Sequence, residues 1–153
     1  MLKPIIGVNM DFRAARQDAP AFCFLSAAYF ESLERAGAIP VVLPPLESEA
    51  DLGAVLNRLD GFLLVGGQDL DPRRDGFMLH FTTRLMDPRR ETFDRALMRM
   101  LANRRLPTFG IGAGMQLLNV CQGGNLSLHI PEDIPGALPH WDAHDKGHRH
   151  GLE

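Results

Sequence analysis

The stretch FGIGAGMQLLN, Phe109 to Asn119, reads as a strand, a sharp turn and the opening of a helix. Thr108-Phe109-Gly110-Ile111 is a short apolar strand, and a helix runs from about Gly114 to Gln122, with Gly123-Gly124 beyond it. Gly110, Gly112 and Gly114 have the spacing of a turn of form G-x-nucleophile-x-G, whose flanking residues must be small for the corner to close. Ala113 is also small, and the residue at the tip, Gly112, has no side chain. The amide after the tip points at the same spot and suits an oxyanion.

The same alternation extends on both sides. Pro4 to Val8, Ile39 to Leu43 and Phe62 to Val65 are apolar runs of strand length, and Leu126 to Ile130 reads as a fifth, shorter strand. Phe22, Leu25, Tyr29 and Leu33 recur at helical spacing up to Ala36, with Gly37 as a C-terminal cap. Leu52, Val55, Leu56 and Leu59 share one face of a helix from Ala50 to Leu59. Asp87 caps a third helix, Pro88 fits its first position, and Phe93, Ala96, Leu97, Met100 and Leu101 form its apolar face. Residues 68–86 show no period and suit a surface loop. Short apolar strands alternating with amphipathic helices predict an α/β fold, an open and mostly parallel sheet with helices on both faces. Ligands of such sheets sit at the carboxyl ends of the strands. Two glycine turns fall there: Gly66-Gly67, and Gly110 to Gly114. Amides of Gly67 and Ala113 converging there would make an anion site with or without a nucleophile.

Length and composition bound the rest. The 153 residues suit a single domain, and 45% hydrophobic with 23% charged residues suits a globular one. A net charge of −3 gives no general attraction to nucleic acid or acidic membranes. The apolar runs are too short to span a bilayer, and the N-terminus reads as a first strand rather than a signal peptide. Two cysteines, Cys23 and Cys121, make no disulfide framework, so a reducing cytoplasm is the default, with both read as buried small apolar residues.

Five ordered motifs carry a family resemblance. Gly110 to Val120 resembles the nucleophile elbow of the class I glutamine amidotransferase-like hydrolases, in the branch typified by γ-glutamyl-γ-aminobutyrate hydrolase, which reads G-I-C-R-G-M-Q-x-L-N-V. Gly123-Gly124-Asn125-Leu126 then matches its G-G-x-L. Lys3 to Gly7, Ala36 to Val41 (against A-G-G-x-P-V), Asp60 to Pro72 (against D-G-L-L-L-T-G-G-x-D-V-x-P) and Asp87 to Leu97 (against D-x-x-R-D-x-x-E-x-x-L, with Glu91 for Asp and Asp94 for Glu) precede these in order. The resemblance implies a flavodoxin-like sheet of the amidotransferase type and hydrolysis of γ-glutamyl amides. It also implies what is missing. The family cysteine falls on Gly112, its following arginine on Ala113, and its His/Glu pair lies in an H-P-E segment beyond Glu153. His150-Gly151-Leu152-Glu153 has the wrong spacing for that pair. On this reading the fold is C-terminally truncated.

A thiolate, a base and an oxyanion hole are all needed for such chemistry, and only the Gly67 and Ala113 amides remain. Cys121 lies nine residues along the helix, on the order of 13 Å from the tip at ~1.5 Å per residue. The expectation is a homologue of γ-glutamyl hydrolases that is inactive or a ligand-binding remnant. It would take a small γ-glutamyl or carboxylate ligand, with Gly66, Gln68 and Gln116 at the substrate, no cofactor and a homo-oligomer as its assembly. Gln116 reads equally as a plain polar residue of a first helical turn. The alternatives are a hydrolase or amidotransferase with a non-standard nucleophile or a partner chain, and a metal protein. The last rests on PHWDAHDKGHRHG, where His140, His144, His148 and His150 are weak zinc candidates in a polar tail over residues 131–153. Trp141 there reads as packing over an edge. A dinucleotide turn fails because Met115 stands where a third glycine is needed. Arg90 and Glu91 read as an exposed ion pair.

Overall fold

The computed structural model describes residues 2–138. Four strands, β1 (Ile5–Asn9), β4 (Ile39–Leu43), β5 (Gly61–Leu64) and β6 (Thr108–Gly110), form a wholly parallel sheet in the order β4-β1-β5-β6. The registers pair Ile5 with Ile39, Ile6 with Gly61 and Phe62 with Thr108. Parallel neighbours need crossovers, and helices supply them: α1 (Ala27–Arg35), α2 (Glu49–Leu56) and α3 (Pro88–Arg104). A fourth helix, α4 (Ala113–Cys121), leaves β6, and a single turn, α5 (Ile130–Asp133), follows. This is the α/β architecture predicted above. No helix among the described residues is long and apolar enough to cross a membrane.

Strand alternation sorts side chains onto two faces of the sheet. Phe62 and Leu64 of β5 point to one face, where they pack with Leu52 and Leu56 of α2, Phe93, Leu97 and Leu101 of α3, and Leu117 of α4. Leu63 points to the other with Val8 and Val65, against Tyr29 and Leu33 of α1. The predicted caps are present. The Asp87 carboxylate accepts from the Arg89 N–H at 2.9 Å with Pro88 in the first turn, and Ser48 accepts from the Asp51 N–H at 3.1 Å at the start of α2.

α3 ends on Arg105 at φ 52°, ψ 34°, the only non-glycine residue with positive φ among the described residues. A Cβ in that conformation costs roughly 1–2 kcal/mol, and glycine gives part of this back through its looser unfolded chain. Arg105→Gly is therefore expected to stabilise the fold by about 0.5–1 kcal/mol, read as a higher urea midpoint with unchanged slope.

Three expectations need correction. Phe22 and Leu25 do not belong to the first helix, which begins at Ala27. Phe22–Phe24 is instead strand β3, antiparallel to β2 (Asp11–Arg13), in a small separate ribbon. The Phe22 and Phe24 rings lie 5.6 Å apart between centroids and tilted by 44°, with the Arg13 guanidinium 5.3 and 5.7 Å from the two rings. Leu126 to Ile130 is not a strand, because no strand edge meets it; Leu126 packs on the main core from an irregular segment, and Ile130 and Pro131 open α5. Cys23 and Cys121 are half-buried free thiols rather than core residues. The loop over residues 68–86 carries one 3-10 turn, Pro72–Asp75.

Candidate functional site

The two glycine turns leave the carboxyl ends of neighbouring strands, so they abut. The Ile111 N–H still donates to the Leu64 carbonyl at 2.9 Å, extending the β5–β6 ladder by one residue. The chain then reverses at Gly112, at φ 53°, ψ −120°, a conformation that glycine adopts freely and L side chains rarely do. Space is not what excludes a side chain here. A Cβ on Gly112 would have one near neighbour, the Gly66 Cα at 3.5 Å. Gly110 is different: a Cβ would lie 2.7 Å from the backbone of Gly114 and Met115, so the helix can start against the strand only over glycine. Gly114 in turn presses on the Leu64 carbonyl.

Ala113 is buried at the first position of α4. Among the described residues neither its N–H nor that of Gly67 donates to another group. The Gly66 N–H is taken by the Tyr29 hydroxyl at 3.1 Å. Gly67 and Gln68 are exposed and border a cavity of about 870 Å³ shared with Arg13, Arg73 and Arg74. Gln116 is half-buried and borders a different cavity, about 640 Å³, with Thr82, Ser127 and His129. Gly66, Gly112 and Ala113 line neither cavity. The structure thus joins the two turns but separates Gln116 from Gln68. His140, His144, His148, His150 and Trp141 lie outside the described residues.

Beneath the turns is a buried polar network, and it includes Arg90, expected at the surface as an ion pair with Glu91. Arg90 is wholly buried and Glu91 is 2% exposed, so they are not an exposed pair. Nor do they pair with each other. The Arg90 guanidinium donates to the Gly66 carbonyl at 2.9 Å and to Asp94 Oδ2 at 3.2 Å, and its Nη1 lies 2.9 Å from Asp11 Oδ1. Nη1 is buried without a partner in hydrogen-bond geometry among the described residues, so that contact is ionic only. A Cβ on Gly67 would collide with the same nitrogen, so the Gly66-Gly67 turn needs glycine there. Asn9 completes the network, donating to Asp94 Oδ1 at 2.9 Å and accepting from the Val65 N–H at 2.8 Å. Glu91 faces the other way. It accepts from Arg95 at 2.9 Å and from the Asp71 N–H at 3.2 Å, while Arg95 forks onto Asp75 at 2.6 and 2.9 Å. These ties fix the 68–86 loop to α3.

Burial raises the Asp94 carboxyl to about 6, against the lowering effects of Arg90 and Asn9, while the nearby Asp11 charge raises it further. The folded chain therefore holds this proton more tightly than the unfolded chain. That contribution is complete below about pH 4 and is lost as pH rises through about 6. A rise of about two units from 3.8 corresponds to about 3 kcal/mol. Asp94→Asn cannot titrate. Between pH 4 and pH 7.5 the wild-type unfolding free energy is expected to fall by about 2.5 kcal/mol relative to that of the variant, measured by urea melts; parallel pH profiles would contradict this.

Comparison with known proteins gives a family match over nearly the whole chain: the Peptidase C26 family model covers residues 4–153. A candidate glutamine amidotransferase of Mycobacterium tuberculosis is 37% identical over 142 residues, covering 90% of this chain and 46% of the relative. A candidate glutamine amidotransferase-like protein of Rickettsia prowazekii is 31% identical, covering 86% and 48%. The γ-glutamyl-γ-aminobutyrate hydrolase of Escherichia coli is 31% identical, covering 92% and 54%. The chain spans about half the length of these curated relatives.

Proposed function

The chain belongs to the Peptidase C26 family, and from that premise we propose that it is a γ-glutamyl hydrolase homologue that binds its ligand without cleaving it. The observation that carries this reading is Gly112. It takes the dihedrals of a nucleophile turn at the mouth of adjacent strands, at the position where the resembling family carries cysteine, and it offers no atom to attack with. The Ala113 and Gly67 amides, unpartnered among the described residues, support a role in holding a carboxylate or amide oxygen. The dipole of the nine-residue helix α4 adds to that attraction. Gln68 borders the same cavity as Gly67 and is then the nearest further contact, whereas the Gly66 N–H is engaged by Tyr29 and Gln116 borders the other cavity.

The names of the relatives suggest glutamine or a γ-glutamyl amide as the ligand. Two free, half-buried thiols fit a reducing cytoplasm as the working compartment. Calorimetry with L-glutamine and L-glutamate, run beside a hydrolysis assay on γ-glutamyl-γ-aminobutyrate, tests the reading. Binding without turnover is expected. Turnover at ordinary enzymatic rates, or absence of any binding, overturns it.

A further inference from the structure

A second cluster of chemically active side chains lies away from the glycine turns, and the proposed function does not use it. His80 comes from the 68–86 loop; His129 caps α5 and Glu132 lies in its first turn. The i, i+3 spacing puts His129 and Glu132 on one side of that turn. His80 Nε2 is 3.2 Å from Glu132 Oε2, and His129 Nδ1 is 3.2 Å from Glu132 Oε1. The two imidazole rings stack at 4.7 Å between centroids and 17° between planes. One donor atom from each of the three residues lies within 4.8 Å of the others.

We propose that His80, His129 and Glu132 form a binding site for a zinc-class divalent transition metal. Three observations support it. Ligands about 2.0–2.1 Å from a tetrahedral zinc stand roughly 3.3 Å apart; each imidazole nitrogen is 3.2 Å from a different Glu132 oxygen, and one donor atom from each residue lies within 4.8 Å of the others, so a small closure brings three donors onto one ion. His129 Nδ1 is buried and has no partner in hydrogen-bond geometry among the described residues, so its lone pair or proton is unsatisfied by the protein. The other ring already has its orienting partner: His80 Nδ1 is 2.7 Å from the Thr82 hydroxyl. As folded, the Thr82 N–H donates to Nδ1 at 3.3 Å, which puts the ring proton on Nε2 toward Glu132; a metal on Nε2 displaces that proton and requires the Nδ1–H tautomer, for which the Thr82 hydroxyl is the acceptor. Two imidazoles and one carboxylate are borderline donors that favour zinc, cobalt or nickel over calcium or magnesium. His80 and Glu132 lie 52 residues apart, so a metal would pin the loop to α5. His129 also lines the cavity of about 640 Å³ beside Gln116, so the pinned turn forms part of its wall.

The test uses the full chain with His140, His144, His148 and His150 changed to glutamine, so that the tail does not compete for metal. Zinc chloride titrated by calorimetry is expected to bind with one-to-one stoichiometry. His129→Ala and Glu132→Gln are each expected to weaken it at least tenfold, and magnesium is expected to give no heat. Cobalt is expected to give the visible absorption bands of a four-coordinate site and to lose them in both variants. All three residues are half-buried or exposed, so these variants keep the fold, checked by circular dichroism. No zinc binding, or binding unchanged in both variants, overturns the site. The outcome is independent of whether glutamine or glutamate binds at the glycine turns.

Discussion

The purified chain is expected to cleave γ-glutamyl-γ-aminobutyrate on the order of 10⁶-fold more slowly than a competent enzyme of this kind, the scale on which a nucleophile's loss is felt. The reason is local. At Gly112 the backbone is turned to present a side chain over the neighbouring strand, and hydrogen stands there. No other thiol among the described residues is positioned to substitute. Cys121 ends α4, on the order of 13 Å along the helix from Gly112. Burial also pushes its thiol up, away from the reactive thiolate. Gly112→Cys separates the missing atom from the rest of the machinery. Room exists for its Cβ, and a thiol at the N-terminus of α4 gains thiolate character. The variant is expected to react faster with iodoacetamide than Cys23 and Cys121 do in the wild type, mapped by peptide mass spectrometry. The positive φ is expected to cost it about 1–3 kcal/mol of stability. A new thiol as inert as the existing ones would mean that the turn does not face solvent or ligand as described.

The part of this site that is legible in sequence is the part governed by local sterics. Gly110, Gly112 and Gly114 sit at alternate positions between an apolar strand and a helix, and each is needed within six residues of the others. Asp87-Pro88 marks a helix start for equally local reasons. Errors arise where distant segments decide. Phe22 continues the helical spacing of Leu25, Tyr29 and Leu33, yet it pairs with Arg13 across a ribbon whose other strand is three residues long and carries two charges. Leu126 has the apolar character of a strand residue, but the sheet offers it no edge. Arg90 and Asp94 occupy positions i and i+4 of α3, in line with Leu97 and Leu101. The charge of Arg90 suggests solvent, while the spacing of both residues continues the buried face. His80 and His129 form no motif because nothing in the chain between them fixes their distance.

Arg90→Met is expected to destabilise the fold by about 3–5 kcal/mol, because removing one member of a buried ion pair strands the other charge. The effect is sharper here than at a simple pair. One guanidinium meets Asp94 and Asp11 and also holds the Gly66 carbonyl, so methionine leaves a backbone oxygen without its donor and an Asp94 carboxyl that must either stay charged beside Asp11 without its cation or take up a proton. Arg90→Lys is expected to recover less than half of the loss. A single ammonium has no fork with which to reach Asp94, Asp11 and Gly66 at once. Neutralising the stranded anion gives the complementary result: Arg90→Met with Asp94→Asn is expected to be more stable than Arg90→Met alone, since the uncompensated charge at position 94 is gone and the Asn9 contact retains an acceptor. Urea midpoints of the four proteins measure this. The first glycine turn rests on this cation through the Gly66 carbonyl, and Gly66 in turn abuts Gly112. A loosened Arg90 network is therefore also expected to weaken the proposed glutamine or glutamate binding at the Gly67 and Ala113 amides. If Arg90→Met left both stability and binding unchanged, the buried network would be incidental to the turns, and the site would have to be held by the sheet alone.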